Sequence, residues 1–399
     1  MLIINIILSV IFAYFAFYIF YFFFLAIAGN LRGSKKYDKS DKLGKFLILI
    51  PAYKEDGIIV STTQEALNHD YPADNFEVAV IADKLQPATL EKLRSMPVRV
   101  IEVFFEKSTK AKSLNYALAN VPDDYDYVLI LDADNVMGKG CLHILNTALQ
   151  SGYLAVQGHR TAKNKNTNFA VLDGMAEEIN NHIFRIGHRA IGLSAALIGS
   201  AMAFDFQYYK KIMDGLEEMG SEDQETELRI MKTRNKIEYV ADAHIYDEKV
   251  QSAEVFAKQR TRWIAGQFAF LGKYGGEGLQ QLFKGNIDYV NKMLQKLIPP
   301  RVIMLGLIPL MGVALFIVSI FFHIDFATTW WLWIGLLGIY ALTMFISIPK
   351  SLYTAELFKA LLSLPRAVFM MAIGIFGIGK AHKTNFHTPK TTTTVEETK

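Results

Sequence analysis

Cysteine is nearly absent from this chain: Cys141 is the only one in 399 residues. A single thiol excludes an internal disulfide and any metal centre built from cysteine ligands. Net charge is also sparse, +3 at pH 7. No stripe of Arg and Lys interleaved with aromatics runs through the sequence, so nucleic acid is not an expected partner. There is no internal repeat, and low complexity is confined to the Thr-rich tail, Thr391 to Lys399, which reads as disordered. Charge of either sign is missing from three long runs, Leu2 to Ala28, Val302 to Phe322 and Phe326 to Pro349. Each is long enough to cross a bilayer core of about 30 Å.

The first run is too long for the apolar region of a signal peptide, and no basic segment precedes it, although Ala26-Ile27-Ala28 would pass as a cleavage site. It reads as a retained anchor, residues 1–30. Arg32, Lys35, Lys36, Lys39, Lys42 and Lys45 follow at once. A basic flank of this kind marks the cytoplasmic side. The other two runs form a pair of spans within 301–350, joined by an outer loop at His323-Ile324-Asp325, with Lys350 again on the cytoplasmic side. Lys359, Pro365 and Arg366 interrupt the last apolar stretch, Leu357 to Ile378. Residues 351–385 are therefore expected as an interfacial or broken helix, with 386–399 as a disordered cytoplasmic tail. The amphipathic segment 276–300, ending in Pro299-Pro300, is expected on the membrane surface.

Between the anchor and that segment, 44–275 has ordinary soluble composition. Phe46 to Ile50, Phe76 to Ile81, Val98 to Val103 and Val128 to Leu131 read as short apolar strands. Polar, helix-like stretches separate them, a rhythm that argues for a mostly parallel, doubly wound sheet. The fourth strand runs straight into Asp132-Ala133-Asp134. Open α/β sheets bind ligands at the carboxyl ends of their strands. Two carboxylates at i and i+2 repel unless a cation or a donor lies between them, and hard oxygen ligands suit Mg²⁺ or Mn²⁺. Taken alone, the pair has a plain structural alternative, a turn at Asp134-Asn135 with Asp132 capping the next helix. Pro51-Ala52-Tyr53-Lys54-Glu55, Asp83, and Lys107 to Lys112 reach the same edge from the other strands. Ser221 is an apparent N-cap for a helix whose first turn is acidic. Farther on, Gln259, Arg262 and Trp263 share one helix face. Cys141 lies in an apparent helix and reads as a packed thiol.

Together these segments resemble glycosyltransferase family 2, in its membrane-embedded branch with cellulose, hyaluronan and chitin synthases. The matching pieces are Pro51 to Glu55, Asp83, Lys110 to Leu118, the D-x-D at Asp132 and Asp134, Gly199-Ser200, Glu222-Asp223 and Q-x-x-R-W from Gln259 to Trp263. The order runs from about Phe46 to Trp263. Two departures stand out: Ser221 replaces a threonine, and Lys54 stands where many members have asparagine.

The resemblance implies a GT-A, Rossmann-like catalytic domain and an inverting transfer from a nucleotide-diphospho-sugar, with UDP favoured. It implies Asp223 as the catalytic base. Pro51, Tyr53, Glu55, Asp83, Lys110, Lys112, Asp132, Gln259, Arg262 and Trp263 would bind the donor. Gly199, Ser200, Glu222 and Trp263 would face the acceptor, while Asp132 and Asp134 would hold Mg²⁺ or Mn²⁺. The expected product is a β-linked polysaccharide, made at the cytoplasmic face of a bacterial inner membrane. The alternative acceptor is a lipid, because single-addition enzymes carry Q-x-x-R-W as well. Three spans are few for a self-contained channel, so export would call for an oligomer or a partner. A catalytically inactive membrane scaffold is the competing reading of another class, against which the intact acidic residues argue.

Overall fold

The computed structural model describes residues 1–38, 40–216, 222–324, 326–375 and 395. Ser221, Asp325 and the segment Asn385 to Lys390 lie outside the described residues, as does almost all of the tail. The side chain of Arg262 does too.

Helix α1 (Leu2–Arg32) is unbroken over 31 residues and carries no acidic residue in its first turn. Phe15, Tyr18, Ile19, Phe22, Leu25, Ala26 and Gly29 form its buried stripe, at the i, i+3, i+4 spacing of one helix face. The chain then enters an eight-stranded sheet. Strand β1 (Phe46–Tyr53) leads to α2 (Ile59–Leu67) and β2 (Phe76–Asp83), then α3 (Pro87–Arg94) and β3 (Arg99–Val103). Helix α4 (Lys110–Ala119) connects to β4 (Tyr127–Ile130). These four strands pair in parallel in the order β3-β2-β1-β4. Leu47 to Ile50, Val78 to Ala82 and Val128 to Ile130 are buried on both faces, which is why they read as continuous apolar runs rather than alternations. Burying each Leu, Ile or Val contributes ~1.5–3 kcal/mol.

Past β4 the sheet becomes mixed. The short β5 (Val136–Met137) precedes α5 (Cys141–Gln150) and β6 (Ala155–Ala162). Helix α6 (Asn168–Asn181) runs on through a π-helical turn at His182–Gly187 into the short α7 (His188–Ala190). Strand β7 (Met202–Asp205), α8 (Phe206–Met213), α9 (Glu222–Lys232) and β8 (Ile237–Asp247) complete the domain. The full order is β3-β2-β1-β4-β7-β6-β8-β5, with β7 antiparallel to both neighbours and β6 parallel to β8. The apolar run Ala195 to Phe204 ends inside β7. Met202, Ala203 and Phe204 are buried in the middle of the sheet, because an apolar run of strand length between two partners is covered on both faces. Cys141 opens α5 fully buried, and burial pushes its thiol pKa up.

The long helix α10 (Ala253–Phe283) continues without a break past residue 275 and is followed by α11 (Ile287–Gln295). Helices α12 (Arg301–Phe322) and α13 (Trp330–Ser347) come next, then two short helices, α14 (Ala355–Leu361) and α15 (Leu364–Ile375). Helix α13 buries Trp333, Leu336 and Tyr340 in one cluster with the α1 stripe and with Met304 and Ile308 of α12. Among the described residues, three helices are long and apolar enough to cross a membrane: Leu2–Arg32, Ile303–Phe322 and Trp330–Ser347. Helix α15 instead packs on α10, with Ala367 and Met371 against Phe256 and Ile264, and Arg366 pairs with Glu254 at 3.1 Å. At Gly187 a Cβ would lie 2.5 Å from the Leu25 carbonyl oxygen, so only glycine lets the π-helical turn approach α1 this closely.

Lys296, just after α11, is buried with its ammonium 4.8 Å from the Phe270 ring. Burial pulls its pKa down to about 7 and Lys292 acts in the same sense, while Glu227 and Asp223 oppose them. An unfolded lysine titrates near 10.4, so over this interval the unfolded chain binds more protons than the folded one. Stability therefore rises with pH from about 7 to roughly 10. Lys296→Met is expected to stabilise the protein at pH 7 by a few degrees in Tm and to flatten this pH dependence. Thermal scans of the detergent-solubilised protein at pH 7 and 9 check it. Equal slopes for both proteins would contradict the assignment.

Candidate active site

Parallel pairing brings the ends of β1, β2 and β4 to one edge. Tyr53 lies opposite Asp83 in register, and the Leu131 N–H donates to the Leu49 carbonyl, which carries the β4 line on toward Asp132. Both β1 and β2 leave the sheet through a left-handed residue, Lys54 (φ 57°) and Lys84 (φ 56°). Asparagine tolerates that region better than lysine, which gives a physical meaning to the departure at position 54. The Lys54 N–H donates to the Asp83 carbonyl oxygen at 3.1 Å. The two ammonium groups lie 5.4 and 5.5 Å from the Tyr53 ring centroid. Asp83 is buried, and its Oδ1 has no hydrogen-bond partner among the described residues. A buried acceptor left unmatched is costly, and at a strand end it is available to a ligand donor. Pro51 and Glu55 flank this edge half-buried, and Asp56 accepts from the Gln86 N–H at 2.7 Å.

Lys110 is the first residue of α4, which Thr109 caps. Its ammonium donates to Asp132 Oδ1 and to the Gly199 carbonyl oxygen, both at 2.5 Å, and lies 3.4 Å from Glu222 Oε1. Gly199 adopts φ 82°, and a Cβ there would sit 3.6 Å from Glu222 Oε1 and 3.7 Å from Asp223 Oδ2. Lys110, Asp132, Gly199, Glu222 and Asp223, far apart in sequence, therefore surround one small volume. Burial opposes the charge on Lys110, but Asp132, Glu222 and Asp223 outweigh it and hold the pKa above the ordinary lysine range.

The two aspartates of the D-x-D differ in setting. Asp132 keeps 38% of its side chain exposed, and its Oδ2 lies 3.9 Å from Arg160 Nη1. Asp134 is buried, its Oδ2 accepting from the Glu248 N–H at 3.0 Å and its Oδ1 from Asn135 at 3.3 Å. Lys163 donates to the Asp134 carbonyl oxygen at 3.0 Å. Asp223, half-buried at the start of α9, accepts from the Gln224 N–H through Oδ1 at 2.7 Å. Ser200 is fully buried, with its Oγ 3.4 Å from Arg160 Nη1. Lys112 stands apart from this group: it is exposed and donates to the Lys107 carbonyl. Gln259 is half-buried and Trp263 is exposed on α10, where the indole stacks on Arg260 at 4.3 Å. Arg260 pairs in turn with Asp173 at 2.5 Å.

Arg160, on β6, is the residue that sequence reasoning missed. Its Nε donates to Glu177 at 2.7 Å and its Nη1 to the Ile198 carbonyl at 3.2 Å. Burial disfavours its charge, yet Asp247, Asp132, Asp134 and Asp173 together raise its pKa. Lys249 closes the network onto Glu177 and Asp247. No local signal announces any of them, since Gln157 to Ala162 is polar and lacks the alternation of a strand.

Four parallel strands, a carboxylate pair after the fourth and a mixed far half define a GT-A-like fold. A family model described as glycosyltransferase like family 2 matches residues 44–266, more than half of the chain. The chain belongs to that family. It is 24% identical over 261 residues to the Bacillus subtilis (strain 168) protein named "Probable glycosyltransferase YdaM", covering 61% of this chain and 59% of that one. It is 24% identical over 228 residues to a beta-monoglucosyldiacylglycerol synthase of Synechocystis sp. (strain ATCC 27184 / PCC 6803 / Kazusa), covering 55% and 47%. The chain thus spans about half to three-fifths of the length of these relatives. Among solved structures, the mannosyltransferase PcManGT of Pyrobaculum calidifontis, in complex with GDP-Man and Mn²⁺, shares the fold. Its TM-score is 0.53 at 14% identity, over 94% of this chain and 98% of that one.

Proposed function

We propose that this protein is an inverting, membrane-bound glycosyltransferase that moves a sugar from a nucleotide-diphospho-sugar to a hydroxyl of a lipid acceptor. The observation that carries the reading is the Lys110 ammonium, which touches Asp132, the Gly199 carbonyl and Glu222 at once. It draws the donor side and the acceptor side to one point. Asp83, with its unmatched Oδ1, and Tyr53 at the end of β1 bind the base and ribose. Lys110, with Arg262, bears on the diphosphate as its negative charge grows. Asp223 takes the proton of the acceptor hydroxyl as that oxygen attacks the anomeric carbon. Direct displacement inverts the centre, so an α-linked donor gives a β-linked product. Gly199 and Ser200 form the floor under the acceptor and Glu222 its wall, Trp263 is the platform for its sugar, and Gln259 binds the donor.

Mg²⁺ or Mn²⁺ fits the residues present. Asp132 and Asp134 offer hard oxygen donors. With Glu222, Asp223, Glu177 and Asp247, these two aspartates outnumber the neighbouring cations Lys110, Arg160, Lys163 and Lys249, six to four. When bound, the ion shares the charge of the leaving diphosphate. The solved complex of the structural neighbour with Mn²⁺ supports this.

The lipid acceptor is favoured by the glucosyldiacylglycerol synthase among the relatives. Incubating the full-length protein in vesicles containing diacylglycerol with a panel of UDP- and GDP-sugars tests the proposal. A single glycolipid product is expected with one donor. Polymer that grows with time would support the polysaccharide reading instead, and no turnover of any donor would support an inactive scaffold.

The division of the chain follows the same reading. An anchor at 1–30 and spans within 301–350 hold a 44–275 transferase domain at the cytoplasmic face, where nucleotide sugars are made. Cysteine at Ser40, in a Cys141→Ser background, should resist an impermeant thiol reagent on intact cells and react after lysis. Labelling on intact cells would overturn the orientation. A cysteine at Thr393 that labels on intact cells would add a fourth span.

A further inference from the structure

We propose that Glu227 and Lys292 are positioning residues for the acceptor: this buried pair fixes the strip Leu197 to Ala201 beside Asp223 and couples it to the membrane helix α1. The inference rests on the reading of Asp223 as the acceptor base. Glu227 stands one turn after Asp223 on α9, so both project from the same side of the helix. It is 1% exposed. Its Oε1 accepts both from the Leu197 N–H and from Lys292 Nζ, each at 2.6 Å. Its Oε2 is buried without a hydrogen-bond partner among the described residues.

The strip itself has an unusual support. The Ile198 N–H donates to Gln157 Oε1 at 3.1 Å, the Ile198 carbonyl accepts from Arg160, the Gly199 carbonyl from Lys110, and the Ser200 carbonyl from Gln157. Side chains from β6, α4 and α9 hold most of this backbone, and the Gly158 N–H of β6 joins them at the Ala201 carbonyl, at 2.7 Å. Two of its residues are left-handed, Gly199 and Ala201. A backbone held this way keeps its place only while each side chain keeps its own.

Lys292 supplies the last link. It lies on α11, whose Asp288 accepts from the Ser194 N–H and hydroxyl, at 2.9 and 2.5 Å, just upstream of the strip. The far end of α11 is tied to α1. Tyr14 donates to the Leu297 carbonyl at 2.5 Å, Tyr18 to the Leu294 carbonyl at 3.1 Å, and Tyr21 meets Asn291. Helix α11 is a bracket, with the anchor on one side and the acceptor strip on the other. A lipid acceptor presented at the bilayer would meet a wall whose position is set from the bilayer.

The test uses the full-length protein in nanodiscs and compares Lys292→Met, Lys292→Arg, Glu227→Gln and the double variant Tyr14→Phe/Tyr18→Phe. In Lys292→Met, hydrogen exchange of the 194–201 peptide should quicken by about tenfold while that of 46–53 stays unchanged, a local opening rather than a global one. Lys292→Arg should restore protection. Tyr14→Phe/Tyr18→Phe, which leaves the buried charges intact, should also speed exchange at 194–201. With UDP-glucose and Mn²⁺, nucleotide affinity should stay within about twofold, while the KM for diacylglycerol in vesicles rises roughly tenfold, as expected when only acceptor contacts are disturbed. Exchange at 194–201 that is unchanged, or that rises equally at 46–53, would overturn the proposal. So would donor and acceptor constants moving together. If the unaltered protein turns over no donor, the transferase reading fails, and the exchange data alone decide the pair.

Discussion

Asp223→Asn is expected to reduce turnover by roughly 10²-fold or more, the scale of a lost general base, with donor affinity nearly unchanged. The substitution keeps the shape of the side chain and the oxygen that accepts from the Gln224 N–H, so the start of α9 should survive it. What it removes is the second carboxylate oxygen, Oδ2, the one beside Gly199. Glu222 stands next to it but is already committed to Lys110 at 3.4 Å and is buried, so it should not substitute. Turnover of UDP-sugar by membranes containing the variant, together with calorimetric UDP binding, makes the measurement. Turnover near that of the unaltered protein would remove Asp223 from the chemistry. A parallel loss of UDP binding would mean that the site had collapsed.

Asp134→Ala should abolish Mn²⁺-dependent UDP binding, because a lone carboxylate cannot replace a chelating pair. Alanine also releases the Glu248 N–H that Asp134 holds at 3.0 Å. Asp134→Asn is therefore the cleaner partner variant, since it keeps an acceptor there and loses only the charge. Both should weaken UDP binding in the presence of Mn²⁺ by at least about tenfold, the lower end for perturbed metal sites. Binding without metal should change little. Calorimetry with and without Mn²⁺ decides the matter, and equal UDP affinity under both conditions in the unaltered protein would end the metal assignment. Asp132 makes a different case. It is the more exposed of the two and is bound to Lys110, so its removal leaves that ammonium to the Gly199 carbonyl and Glu222 alone among the contacts described above.

The first half of the domain was legible in the sequence because its strands are buried on both faces. A parallel, two-sided strand has to be apolar throughout, and Phe46 to Ile50 and Val128 to Leu131 say so directly. The D-x-D announces itself by following such a run. The second half gave no such signal. Strand β6 carries Gln157, His159, Arg160 and Thr161, residues that a periodicity argument assigns to a loop. They are tolerated in a strand because each finds a partner: Arg160 in Glu177 and Asp247, His159 and Thr161 in Glu178, and Gln157 in the Ser200 carbonyl. Met202 to Phe204 is too short an apolar run to announce a strand, and only its two antiparallel partners, β4 and β6, make it one.

By itself the sequence determined what depends on neighbours along the chain: three charge-free apolar runs, the basic flank after the first, the strand-and-helix rhythm, and the acidic residues that end a strand or begin a helix. Only the tertiary structure decided which of these groups meet. Lys110 and Gly199 are 89 residues apart and joined by a 2.5 Å hydrogen bond, and Lys292 reaches Glu227 across 65 residues. Nothing in local spacing encodes such a distance. It follows from the order in which strands pair and from how α11 docks between the sheet domain and α1. That order is set by burial summed over the whole core rather than by any one residue.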